Sequence, residues 1–125
     1  MIKSQKNRIQ AEILYEEAMK LREKRLFSKA IDKLSEAIRL LPDNGPILGV
    51  LAATYWDMKD LPNAIKFFEK SVGILPASER ASLGLFHTRI EVGDVDSAFA
   101  EMKRFLAISS SEEYSRLLQE INEES

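Results

Sequence analysis

GPILGVLAATYWDMKDLPNAIKFFEKSVGILP, running from Gly45 to Pro76, decides the fold. Leu48, Leu51, Ala52 and Tyr55 recur at helical spacing, and so do Ala64, Phe68 and Ser71. Asp60-Leu61-Pro62 separates the two stripes. Pro46 and Pro62 each suit a first helical turn, where a missing N–H costs nothing. The stretch therefore reads as two helices folded back on one another, about Pro46 to Lys59 and about Leu61 to Ile74. One such hairpin cannot bury both of its apolar faces, so it needs neighbours built like itself.

Working outward, the N-terminal side supplies one. From Gln5 to Arg25 the residues Ile9, Ile13, Leu14, Ala18 and Leu21 make an amphipathic helix. The break at Lys24 to Phe27 has neither Gly nor Pro, yet the stripe restarts out of phase at Ala30, Ile31, Leu34, Ala37, Ile38 and Leu41. Pro42-Asp43-Asn44-Gly45-Pro46, the densest cluster of breakers, ends that second helix. On the C-terminal side a third pair is expected over Glu79 to Val92 and Val95 to Ile108, joined at Gly93-Asp94. Ser109-Ser110-Ser111 then precedes Glu112 and Glu113, a helix start with acids in the first turn, and Tyr114, Leu117, Leu118 and Ile121 share one stripe.

Composition agrees with such a protein. The 125 residues are 45% apolar and 30% charged, with five Gly and four Pro, as in a helix-rich domain with a core. Eighteen Lys and Arg against 20 Asp and Glu give a net charge of -2, so no global field favours nucleic acid or an anionic membrane. There is no cysteine, which excludes disulfides, thiolate metal sites and cysteine nucleophiles. The first ten residues carry Lys3, Lys6 and Arg8 with no apolar run behind them, and no window is apolar enough to span a bilayer. A cytoplasmic protein is the expectation.

The same step of 34 residues links Leu14 to Leu48, Ala18 to Ala52, Leu21 to Tyr55, Leu34 to Phe68, Ala37 to Ser71 and Pro42 to Pro76, while Ala30, Ala64 and Ala98 form a series of three. A helix-turn-helix unit of this period resembles the tetratricopeptide repeat, in which small residues let paired helices approach and a Pro ends the second helix. The resemblance implies an all-α, right-handed superhelical array of three such units with a C-terminal capping helix, in one domain. Residues 1–10 extend the first helix, 11–44 form the first repeat, 45–78 the second, 79–110 an atypical third, and 111–125 the cap. Glu17 departs from the family's pattern in the first unit. In the third, Phe86 and Phe105 stand where the family has small residues, and Ser110 replaces the Pro. Either the third unit meets a cap instead of another repeat, or its hairpin opens and helps to make a dimer.

Chemistry finds little support. His87 is the one histidine, and no pattern sets a Ser or an acid beside it. Nothing has zinc-ligand spacing, and Gly93-Asp94 and Asp43-Asn44-Gly45 are unlike a phosphate loop. No enzyme activity, metal or cofactor is expected. What the resemblance implies is binding, with the first helices of successive units lining a concave groove. Carried over residue by residue, the groove positions are Glu12, Tyr15, Met19, Arg22 and Glu23, then Pro46, Gly49, Ala53, Trp56 and Asp57, then Arg80, Leu83, His87, Ile90 and Glu91. The expected peptide site is Tyr15, Met19, Arg22, Gly49, Ala53, Trp56, Arg80, Leu83, His87 and Ile90. Gly49 and Ala53 make a floor for an apolar side chain, and Arg22 and Arg80 are placed to meet a carboxylate. Trp56 either faces the groove or packs on the next first helix. The family's clamp for chaperone C-termini, with Lys and Asn in the first unit, Asn in the second and Lys and Arg in the third, is not expected, because Tyr15 and Met19, Val50, and Arg80 with Gly84 take those positions and only Arg80 is compatible. The function expected is therefore a protein or peptide interaction module. An assembly scaffold, secretion-type chaperone or immunity-like blocker working through its convex face or ends is the alternative. The chain is expected as a monomer, or as a homodimer through the third repeat.

Overall fold

A computed structural model describes residues 2–124, and among them it shows seven helices and no strand. They are α1 (Ile2–Glu23), α2 (Phe27–Leu40), α3 (Gly45–Asp57), α4 (Leu61–Ile74), α5 (Glu79–Glu91), α6 (Val95–Leu106) and α7 (Glu112–Glu124). Helix α1 runs from Ile2, ahead of the amphipathic stripe that starts at Gln5, since nothing among Lys3, Ser4 and Gln5 interrupts it. Helix α6 stops at Leu106, two residues early, with Ala107 as its C-cap.

Three hairpins follow one another: α1 packs on α2, α3 on α4 and α5 on α6, while α2 packs on α3 and α4 on α5. The series Ala30, Ala64 and Ala98 is wholly buried, as are Ala18 and Ala52, so the helix backbones approach closely. At the next seam Ser71 Oγ donates to the Gly45 carbonyl at 2.9 Å. A Cβ at Gly45 would stand 2.6 Å from the Leu75 side chain, so a larger residue there would have to displace that leucine.

Each turn inside a hairpin is built alike. Arg25, Lys59 and Gly93, spaced 34 apart, all take positive φ (60°, 64° and 85°). The residue after each donates back five positions, Leu26 to Leu21, Asp60 to Tyr55 and Asp94 to Arg89, all at 2.9 Å. This is a Schellman stop. Asp60 and Asp94 then cap the next helix, accepting from the backbone N–H of Asn63 and Ser97 at 3.3 Å. Leu26 holds the same place in the first hairpin and caps nothing.

Phe86 and Phe105 find their partner in α7. Tyr114 is fully buried between them, with ring centroids 5.5 Å from Phe86 and 5.8 Å from Phe105, and Phe99 closes the cluster edge-on to Phe86. Below the rings, Ser82 Oγ lies 2.7 Å from both a Glu101 carboxylate oxygen and the Tyr114 hydroxyl. A carboxylate only accepts, so Ser82 donates to Glu101 and Tyr114 donates to Ser82. Arg104 holds Glu101 with two hydrogen bonds, 2.8 and 2.6 Å, and donates also to the Pro76 carbonyl. The large residues that break the repeat pattern thus house the ring that docks the cap.

Candidate functional site

The first helices of the three hairpins leave an open cleft of about 680 Å³. Pro46, Gly49, Ala53 and Trp56 of α3 form its floor, Tyr15 and Arg22 of α1 one wall, and Arg80, Leu83 and His87 of α5 the other. These include eight of the ten expected site residues: Tyr15, Arg22, Gly49, Ala53, Trp56, Arg80, Leu83 and His87. Met19 is half-buried on α1 and Ile90 is exposed at the end of α5, both outside the lining.

The cleft is deeper than one layer of helices. Between α3 and α5 it reaches Phe68 and Ser71 of α4 and Leu75 at that helix's C-cap, and it takes in Gly45, Val50 and Gly84. None of these belongs to the expected site set. Their signal lies in the 34-residue step: Gly84 stands where the previous unit has Val50, and Phe68 where it has Leu34. A Cβ on Gly84 would overlap the Phe68 ring, so bulk has moved from the first helix of one unit to the second helix of the unit before.

Two equivalent bonds tie the rim. Arg22 Nη2 donates to Asp57 at 2.8 Å, and Trp56 Nε1 donates to Glu91 at 2.7 Å, each linking the end of one first helix to the next. Arg22, Trp56 and Ile90 are equivalent positions, as are Glu23, Asp57 and Glu91. Ile90 has no side-chain donor to continue the ladder and remains 36% exposed. Trp56 therefore lines the cleft and also packs on the next first helix. Its indole stacks on His87 at 6.4 Å and meets Phe68 edge-on at 6.1 Å. His87 Nε2 in turn donates to Glu113 of α7 at 3.1 Å. Arg22 is engaged by Asp57, so Arg80, which forms no ion pair among the described residues, is the cleft's available guanidinium. The described residues contain no group of three or more His, Asp or Glu able to hold a metal, and no helix long and apolar enough to cross a membrane.

No protein-family model matches the chain, and no curated protein does. Solved structures do. The Arabidopsis OM64 TPR domain superposes with a TM-score of 0.81 at 18% identity, covering 95% of this chain and 99% of that one. The first TPR of Spaghetti (RPAP3), solved with an HSP90 peptide SRMEEVD, gives 0.79 at 19% identity over 91% of each chain. The MamA structure gives 0.74 at 27% identity, over 78% of this chain and 57% of that one. With its hairpins in series, its 34-residue step and these neighbours, the chain is of the tetratricopeptide-repeat type in fold.

Proposed function

We propose that the chain is a non-enzymatic protein-interaction module that holds a peptide or helical segment of another protein in the cleft between α1, α3 and α5. The units 11–44, 45–78 and 79–110 with a cap at 111–125 are part of this reading. The observation that carries it is the cleft itself: concave, mostly apolar, floored by Gly49 and Ala53, with Arg80 at its mouth to meet a carboxylate. The RPAP3 domains were solved with a chaperone-tail peptide. Tyr15, Met19, Val50 and Gly84 at the family's clamp positions favour a more apolar ligand here. The test is affinity capture from the source cells with the wild type beside Ala53→Arg and Trp56→Ala, followed by titration calorimetry on the protein retrieved. Filling the floor should weaken binding at least tenfold, about 1.4 kcal/mol. Unchanged affinity in both variants would remove the cleft from the function.

A second reading, assembly through an end of the array, is favoured by Ile9 and Ile13, which stay 53% and 54% exposed on the outer face of α1. Light scattering on the wild type and on Ile9→Glu/Ile13→Glu decides it. An oligomer that the pair dissolves supports assembly, and a monomer at high concentration removes it.

A further inference from the structure

Three glycines touch the cleft, and the packing explains two of them. A Cβ on Gly45 would press into Leu75, and one on Gly84 would overlap Phe68. Gly49 differs. It lies inside α3, where glycine is among the poorest helix formers, and a Cβ there would meet only Ser71 Oγ at an ordinary 3.4 Å. The fold would accept alanine and gain helix stability, so the missing methyl serves something other than the fold. Gly49 lines the same cleft as Phe68, Ser71 and Leu75, and as Trp56 and His87, whose rings stack on one another.

Given the reading of the cleft as the binding site, we infer that Gly49 is the seat of an aromatic side chain of the bound segment. The ring lies against the bare α3 backbone, and the carboxylate beside it is received by Arg80. The rings around the seat favour an aromatic occupant, which meets them edge-on or offset. Charge completes the match, since the other guanidinium of the lining, Arg22, is already engaged by Asp57, and the His87 ring is occupied by Glu113. Glu79 shares the mouth but sits in the first turn of α5, where the helix dipole offsets its charge.

N-acetyl-phenylalanine serves as the probe, titrated at millimolar concentration into the nitrogen-labelled full chain while amide and indole resonances are followed. In the wild type the expected shifts fall on Gly49, Ala53, the Trp56 indole and Arg80. The amide of the same compound should bind more weakly, and Arg80→Gln should abolish that difference. Gly49→Ala should weaken binding about tenfold, as one methyl in a tight seat does. The same variant should raise the melting temperature by about 2–4 °C. Equal shifts in the wild type and Gly49→Ala overturn the seat and leave the cleft reading standing. Shifts nowhere in the cleft of the wild type remove both. A lower melting temperature for Gly49→Ala shows that the glycine serves the fold, and also overturns the inference.

Discussion

Gly84 has no side chain because Phe68 fills the space one would need. The corresponding pair at the preceding seam is Val50 with Leu34, so the two seams solve one packing problem with opposite distributions of bulk. Gly84→Val alone should cost about 1–3 kcal/mol through overpacking. Phe68→Leu alone should cost about 1 kcal/mol or more through the space it empties. The double variant recreates the Leu34–Val50 pairing and should recover most of the loss, so urea midpoints that simply add would refute the exchange. Tyr114 offers a second prediction at this scale. Burial pushes its hydroxyl from 10.0 up to about 12, with the charge on Glu101 acting in the same direction. The site holds the neutral phenol, so its contribution is complete below the ordinary tyrosine value and is lost as pH rises through about 12. Tyr114→Phe should lose about 1 kcal/mol at neutral pH, because Ser82 loses its donor, and should flatten the alkaline fall in stability followed by circular dichroism.

At the scale of the element, the turns show what was legible in the sequence and what was not. Gly93-Asp94 announces its turn in the usual chemistry, and Asp60-Leu61-Pro62 does so through a cap and a proline. Lys24 to Phe27 announces nothing, and only the change of phase in the apolar stripe betrays it. The positive φ at Arg25 goes with the Schellman hydrogen bonds, from Arg25 to Arg22 and from Leu26 to Leu21, on a residue that does not favour it. Two substitutions borrow from the other turns: Arg25→Gly from the third, and Leu26→Asp from the second and third. Each should add about 0.5–1 kcal/mol, read as a rise in melting temperature. The candidate site was legible to the same degree. Positions on the first helices came from the resemblance to the tetratricopeptide repeat, and the 34-residue step carries them from one unit to the next. Phe68, Ser71 and Leu75 did not, because the cleft's depth depends on how far α5 stands from α3, which no single helix encodes. Ile90 follows the step from Arg22 and Trp56, yet it lies outside the cleft's lining.

Over the whole molecule, the array ends on a helix instead of another hairpin, and the third unit is shaped for that ending. Phe86 and Phe105 replace the small residues of the earlier units and require Tyr114 between them. A chain ending at Ser110 should therefore expose two rings and the Ser82–Glu101 pair, melt lower and scatter light at concentrations where the full chain does not. Returning the repeat's own small residues, Phe86→Ala with Phe105→Ser, should reduce the scattering of the shortened chain.

The rim ladder gives the array joints of unequal compliance. Arg22–Asp57 is a partly exposed ion pair between two flexible side chains, whereas the Trp56–Glu91 bond starts from an indole held by Phe68 and His87. Dissolved salt weakens the first far more than the second. Rising ionic strength should thus loosen the α1–α3 joint while α3–α5 stays stiff, visible as faster hydrogen exchange at the end of α1 with little change at the end of α5. Behaviour of that kind makes one side of the cleft a jaw that opens and the other an anvil that does not.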